Sequence, residues 1–488
     1  MPRKHLILTL WFALGISAQQ IRVTDGITDF QVVQRGPDET ADLKFSGATA
    51  TKKENGREIE ARLISHGDVL EKFDWTRIAK VQKQKWSGEI QKVPTGGPYQ
   101  LQLRVKGAPL VTIVDQILVG DLWILAGQSN MEGHGDLIDV QPPIPQVHSF
   151  DMADRWLLAE EPLHTQVSAV DRVHWALNEN REPERLTGER LERYIKDRKK
   201  GAGLGLPFAV EMYRRTGVPV GLIPCAHVGT TMEQWSPSLK DAGGDSLYGA
   251  MLRRFRAVGG TVRGVLWYQG ESDANPKAAP EFLQRFKDLA IAMREDFNAP
   301  TMGIYYVQIG RHISDSNAAE WNQVQAAQLK AESEIRHAGM VASVDCTLDD
   351  PIHVSTESLK RLGHRLADRV CHDLFPKIKN YGALEPGPRP ESVRYENGVV
   401  KVAFSGVNGK LESDGRLDGF SIHNDKGETV PLIYKAAIDA SENAVLLYVG
   451  GKLPESATLW YGFGNDPYCN LRDASDQAAP VFGPVAIQ

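Results

Sequence analysis

The centre of the chain alternates short, continuously apolar runs with amphipathic stretches. The apolar runs are Leu122-Trp123-Ile124-Leu125-Ala126, Val218-Pro219-Val220-Gly221-Leu222-Ile223, Gly264-Val265-Leu266-Trp267-Tyr268, Met302-Gly303-Ile304-Tyr305-Tyr306-Val307 and Met340-Val341-Ala342-Ser343-Val344. Between the third and fourth, Phe282, Phe286, Leu289, Met293 and Phe297 fall on one helical face, with Pro280 near its start. Leu359, Leu362, Leu366, Val370 and Leu374 repeat that spacing after the fifth run. Strands that are apolar on both sides and separated by amphipathic helices predict a parallel sheet covered on both faces, a doubly wound α/β domain. The flanks differ. Tyr99-Gln100-Leu101-Gln102-Leu103-Arg104-Val105 alternates in period two, and Val399–Phe404 and Ala444–Val449 are strand-like between turn residues. A proline-rich stretch, Glu385-Pro386-Gly387-Pro388-Arg389-Pro390, precedes the last of these regions. The predicted organisation is an N-terminal all-β module over 19–117, an α/β domain over 118–385 and a C-terminal all-β module over 386–488.

Residues 1–18 read as a signal peptide: Arg3 and Lys4, an apolar stretch through Leu14, then Ser17-Ala18. The apolar stretch is shorter than the roughly 20 residues a bilayer requires, so the expectation is a secreted or periplasmic chain with no membrane span. With 56 Lys+Arg against 62 Asp+Glu, the net charge of -6 gives no basic surplus, and nucleic acid is not an expected partner. Cys225, Cys346, Cys371 and Cys469 are too scattered for a disulfide scaffold or a zinc cluster. Whether Cys346 and Cys371 pair stays open. His364, Asp368 and His372 share a helix face and read as its exposed polar side, so neither metal nor cofactor is expected.

In a doubly wound sheet the functional crevice lies beyond the carboxyl ends of the strands. The first strand exits into Gly127-Gln128-Ser129-Asn130-Met131, the second into Val228-Gly229-Thr230, and the third into Gln269-Gly270-Glu271-Ser272-Asp273. Gly310-Arg311-His312 follows the fourth, and Asp349-Asp350-Pro351-Ile352-His353 the fifth. Serine attacks carbonyl carbon only when a base takes its proton, and that base works best when a third group orients it. Ser129 supplies the hydroxyl, His353 an imidazole, and Asp350 a carboxylate one turn earlier. The N–H groups of Ser129 and Gly229 and the side-chain amide of Gln269 are the expected oxyanion donors. Gln128, Glu271 and Arg311 are expected to support the loops or the substrate, with Trp235, His312 and Trp321 flanking the rim, though Trp321 reads equally as a core residue of its helix. Met131 stands where a Gly-x-Ser-x-Gly elbow has glycine, which disfavours the α/β-hydrolase fold. The run Gly201-Ala202-Gly203-Leu204-Gly205 follows lysines rather than a strand, so it is no dinucleotide loop. The charged stretch from Arg172 to Lys200 reads as a solvated excursion rather than a lid.

Three segments together, Gly127-Gln128-Ser129-Asn130-Met131, Trp267-Tyr268-Gln269-Gly270-Glu271 and Asp350-Pro351-Ile352-His353, resemble the sialate O-acetylesterase family of SGNH/GDSL-type hydrolases, which includes acetyl-xylan esterase relatives. The resemblance spans about 118–385, and Leu459-Trp460-Tyr461-Gly462-Phe463 with Asn470-Leu471 resembles the family's C-terminal β module. It implies a flavodoxin-like three-layer domain and metal-free Ser-His-Asp hydrolysis of acetyl esters on carbohydrate. It puts the nucleophile at Ser129, the base at His353, the orienting acid at Asp350 and oxyanion donors at Gly229 and Gln269. The family often has Gly-Gly-Thr where this chain has Val228-Gly229-Thr230, and related lipases have Asn in place of Gln269. A glycan-binding protein with a relic hydrolase domain is the alternative, and the presence of all three of Ser129, Asp350 and His353 counts against it.

Overall fold

The computed structural model describes residues 21–180, 182–315, 318–378 and 384–488. The expected signal peptide, 1–18, lies outside the described residues. Two compact units emerge, one comprising residues up to Asp29 with Asp42–Val93 and Pro98–Ile117, the other comprising the remainder. The first is built of strands. Glu58–Ser65 pairs antiparallel with Gly96–Val105, and the latter buries alternate side chains, Tyr99, Leu101, Leu103 and Val105. That alternation is what a sheet with one face on a core requires.

The second unit carries the predicted α/β layers. Its sheet uses β1 (Thr112–Gly127, from Leu118 onward), β2 (Gly135–Asp136) apart in a small ribbon, β3 (Val147–Phe150), β4 (Trp156–Leu158), β5 (Lys200–Ala202) pairing with β2, β6 (Val220–Pro224), β7 (Gly264–Tyr268), β8 (Gly303–Gln308) and β9 (Ala338–Ala342). The main strand order is β4-β3-β6-β1-β7-β8-β9, parallel throughout except for the β3–β4 pair. Order reverses at β1, whose sequence successors lie on both sides of it. This is the switch point at which such sheets open a crevice. The helices are α1 (Ser129–Glu132), α2 (Gly188–Asp197), α3 (Gly205–Thr216), α4 (Leu247–Ala257), α5 (Phe282–Asp296), α6 (Ala319–Glu334) and α7 (Thr356–Leu374). Trp123 meets Phe208 of α3 with ring centroids 5.1 Å apart. On the opposite face, Trp267 meets Phe286 of α5 at 6.0 Å. The two amphipathic stripes predicted from sequence are buried as expected, apart from the ragged end of α7 at Leu374.

β9 ends two residues earlier than the apolar run suggests, because Val344 leaves the sheet and joins a second core. That core lies between two four-stranded sheets of the C-terminal region. One is ordered Arg389–Glu396, Val399–Ser405, Ala444–Val449, Ile433–Asp439, and the other Thr429–Val430, Phe420–His423, Thr458–Tyr461, Phe482–Ala486. The C-terminal sheets are stitched to the α/β layers: Gln308 donates to Val481 O and accepts from Val481 N–H, at 3.0 and 2.8 Å. Arg361 pairs with Asp476, and the buried Arg365 with Asp345. All four cysteines are buried and free, so Cys346 and Cys371 form no bridge. The expected exposed face of α7 holds only in part. His364 is exposed, but Asp368 is buried and paired with Arg215.

Candidate active site

The site begins where β1 and β7 end side by side. Gly127 lies opposite Tyr268, and Gln128 N–H donates to Tyr268 O at 2.9 Å. Gly127 has φ 135°, and a Cβ there would stand 2.2 Å from Tyr268 O, so only glycine fits this turn. The turn delivers Ser129, itself buried, to the first position of α1. Gln128 then accepts from Ser272 N–H at 3.2 Å, joining the β1 exit to the β7 exit.

Asn130 ties this segment to the His353 loop. Its Oδ1 accepts from Val354 N–H at 3.0 Å, and its Nδ2 approaches Ile352 O at 3.4 Å. The residue after Ser129 thus grips the backbone on both sides of His353. Glu271 secures Asn130 in turn, with its Oε1 accepting from Asn130 Nδ2 at 2.7 Å. Burial pushes the Glu271 carboxyl up, against the stabilising bond from Asn130. Glu271 therefore serves the loop, one of the two roles open to it from sequence.

His353 Nδ1 lies 2.9 and 2.8 Å from the two oxygens of Asp350. The Ile352 and His353 N–H groups donate to Asp350 Oδ1 at 3.1 and 3.0 Å, and Lys200 Nζ to Oδ2 at 2.6 Å. Partial burial would raise the Asp350 pKa, but the bonds from Lys200, His353 and these backbone groups hold it well below the usual carboxylate range. On the other side of His353, the His134 ring stacks on the imidazole with centroids 4.4 Å apart. Burial, with His353 nearby, lowers the His134 pKa to about 4, so it is neutral at pH 7.

Gly229 lies in the exposed loop after β6, with φ 67°, and a Cβ there would meet no atom within 4 Å. Its glycine serves conformation and open access, not packing. Gln269 departs from expectation. Its Nε2 donates to Thr230 O at 3.0 Å and Asp273 Oδ2 at 2.5 Å, in full burial. Both amide hydrogens are committed, so in this structure it braces the Gly229 loop and has none left for an oxyanion. Arg311 pairs with Asp466 of the C-terminal region at 2.8 Å. Trp235 and Trp321 are core residues rather than rim residues, because their indole N–H groups find interior partners, Thr230 Oγ1 at 3.1 Å and Gly310 O at 2.9 Å. α2 is solvated as expected, with no buried residue. The same excursion nevertheless ends in Lys200 at Asp350, which sequence reasoning missed. A signal for Asn130 was visible in its place beside the strand-exit serine; Lys200 had none beyond a run of charges.

Among the described residues, no group of three or more His, Cys, Asp or Glu side chains is arranged to hold a metal, and no helix is long and apolar enough to cross a membrane. The arrangement supplies a strand-exit hydroxyl, an imidazole oriented by a carboxylate, and a glycine loop, which together suit acyl transfer.

Comparison with known proteins agrees with this chemistry. Residues 119–372 match the family model described as carbohydrate esterase, sialic acid-specific acetylesterase. A probable carbohydrate esterase of Arabidopsis thaliana is 29% identical over 272 residues, covering 50% of this chain and 88% of that protein. Human sialate O-acetylesterase is 24% identical over 218 residues, 40% of either chain, so this chain matches under half the length of that relative. Among solved structures, a carbohydrate acetylesterase from Xanthomonas citri covers 95% of this chain and 99% of its own at 19% identity and a TM-score of 0.62, a likeness of fold. With the family model matching more than half its length, the chain belongs to the sialic acid-specific acetylesterase family of carbohydrate esterases.

Proposed function

We propose that this protein hydrolyses acetyl esters on carbohydrate through Ser129, His353 and Asp350. The observation that carries the reading is the double grip of Asn130 on the backbone either side of His353, which seats an Asp350-oriented imidazole beside the nucleophile's own segment. Ser129 Oγ attacks the acetyl carbonyl carbon while His353 Nε2 takes its proton, and Asp350 stabilises the imidazolium through Nδ1. The N–H groups of Ser129 and Gly229 are the proposed donors to the tetrahedral oxyanion, with Gln269 holding the Gly229 loop. Collapse of the intermediate returns the proton to the sugar oxygen and leaves acetyl-Ser129. Water, deprotonated by His353, then releases acetate and restores the serine.

The acyl side is short in this reading, because the family to which the chain belongs is described by its acetylesterase activity. Each methylene denied an apolar slot forgoes about 0.8 kcal/mol. p-Nitrophenyl acetate is therefore expected to be cleaved much faster than the octanoate. On the sugar side, the reading favours plant- or algal-type polysaccharide over sialic acid. Arg311, the cation that the strand-exit sequence offers for a sialate carboxylate, pairs with Asp466. The leader-like N-terminus supports export, with the substrate met outside the cytoplasm. Acetate released from acetylated xylan, acetylated pectin and O-acetylated sialic acid, measured side by side, tests the assignment. Release from none of them, with preference for long acyl esters, overturns the carbohydrate reading.

A further inference from the structure

Lys200 touches the acid–base pair from an unexpected direction. It opens β5, whose partner β2 follows α1 within three residues, in the register Gly135 to Ala202 and Asp136 to Lys200. Leu137 N–H donates to Lys199 O at 2.8 Å to close this small ribbon. The ribbon is also bonded to the acid–base loop, because Asp349 Oδ2 accepts from Asp136 N–H at 2.9 Å and Thr356 N–H at 3.0 Å. Lys200 therefore sits on a backbone tied at one end to the nucleophile's segment and at the other to the Asp350 loop.

The bonds at Asp350 are unequal. Oδ1 accepts two backbone N–H groups besides His353 Nδ1. Oδ2 has the same imidazole and Lys200 Nζ, at 2.8 and 2.6 Å. Remove the ammonium and Oδ2 keeps only a shared proton, leaving the carboxylate freer to rotate away from the base. Charge changes as well. Lys200 faces Asp136 Oδ1 at 3.9 Å and Asp349 O at 3.5 Å, so Asp350 is its nearest anionic partner. We propose that Lys200 is a positioning residue: its ammonium pins Asp350 Oδ2 and offsets that carboxylate's charge, fixing both the seat of His353 and the pH at which His353 takes a proton. This rests on the Ser129–His353–Asp350 reading of the site.

The sign follows from charge. With Lys200 removed, Asp350 acts unopposed on the imidazolium, which then keeps its proton to higher pH. The other charged or titratable groups around the pair are His134 stacked on His353, Glu132 and Arg198 beside His134, Asp136, Asp349, and Glu271 behind Asn130. All are unchanged in the variants below, so a difference between variants reports Lys200 alone.

The test is an NMR titration of protein labelled in its histidine rings, with the His353 signal assigned by its loss in His353→Gln. In Lys200→Met the His353 midpoint is expected to move up by roughly half a pH unit, and in Lys200→Arg to stay within roughly 0.2 unit of wild type. kcat/KM on an acetyl ester at pH 8 is expected to fall about tenfold in Lys200→Met and to recover within about threefold in Lys200→Arg. Lys200→Gln takes the place of the Met variant if circular dichroism shows that one unfolded. An unchanged His353 midpoint in the uncharged variant overturns the proposal, and so does lost activity that arginine does not restore. If wild type releases no acetate from any ester, the esterase reading fails, while the titration midpoint still decides the role of Lys200.

Discussion

Ser129, His353 and Asp350 lie more than 220 residues apart at the extreme, and one amide side chain closes the gap. Asn130 holds Val354 N–H and Ile352 O while Glu271 holds Asn130, so the proposed base is positioned by the residue next to the proposed nucleophile. Misplacing a base by about 1 Å costs about 10²-fold in rate. Asn130→Ala is therefore expected to lower kcat by about that factor with little change in KM. Glu271→Gln, which keeps an oxygen to accept the same bond, is expected to stay within roughly tenfold of wild type; steady-state kinetics on p-nitrophenyl acetate checks both, and equal losses in the two would contradict the relay. Asp350→Asn retains the shape but not the charge, and a loss on the order of 10⁴ in kcat is expected from disturbed imidazole orientation and imidazolium stabilisation. Ser129, His353 and Asp350 stood out in the sequence as a candidate set because each follows an apolar run that reads as a buried strand. Lys200 did not, because its partner lies 150 residues away and its neighbours on the chain are a run of exposed charges. Gln269 shows a related limit of linear order: its place at a strand exit is visible in the sequence, but the Thr230 and Asp273 acceptors that occupy its amide are brought to it only by the fold.

Two glycine turns at strand exits behave differently as elements. At Gly127 the β1 exit passes so close to Tyr268 that a methyl group would strike its carbonyl, and φ is 135°. Gly127→Ala is expected to destabilise the fold by at least about 3 kcal/mol, because neither backbone can retreat without breaking the β1–β7 register. At Gly229 a methyl group meets open space, and the cost is the left-handed backbone alone, about 1–2 kcal/mol. Denaturant unfolding of the two variants checks the contrast, and equal losses would contradict it. The parallel strands and amphipathic helices were readable because burial on both faces leaves a continuous apolar signature. The end of β9 was not, since Val344 is apolar for a second core whose other members come from residues beyond 390.

For the whole molecule, buried titratable groups set a pH window. Burial lowers the pKa of His134, His148 and His227 to about 4 and of His164 to about 3, and holds that of His174 well below its ordinary value. The unfolded chain protonates such histidines near pH 6.5 while the folded chain does not, so their contribution to stability is lost as pH falls below that value. Burial pushes Glu132 up to about 8 and Glu161 up to about 7. Those carboxyls stay protonated in the folded chain after the unfolded chain has given up its protons, so they cost stability as pH rises from about 4.5 toward 8. The histidines dominate below neutrality and the carboxyls above it. Tm is expected to peak near pH 7 and to fall more steeply toward pH 5 than toward pH 8.5, and an equal Tm at pH 5 and 7 would contradict this picture. That the C-terminal sheets share a compact unit with the α/β layers was not legible, because the Gln308–Val481 bonds join residues 173 apart.

In the proposed function Ser129 is an activated nucleophile acting on acetylated sugar. Acetate release from acetylated xylan, measured for wild type and Ser129→Ala after intact mass has shown whether a serine-directed organophosphonate adds to each, tests it most directly. Wild type is expected to take up one phosphonate and release acetate, while Ser129→Ala takes up none and loses on the order of 10⁶ in kcat with its circular dichroism unchanged. A folded Ser129→Ala variant that is still labelled, or that retains activity within tenfold of wild type, would rule out Ser129 as the nucleophile.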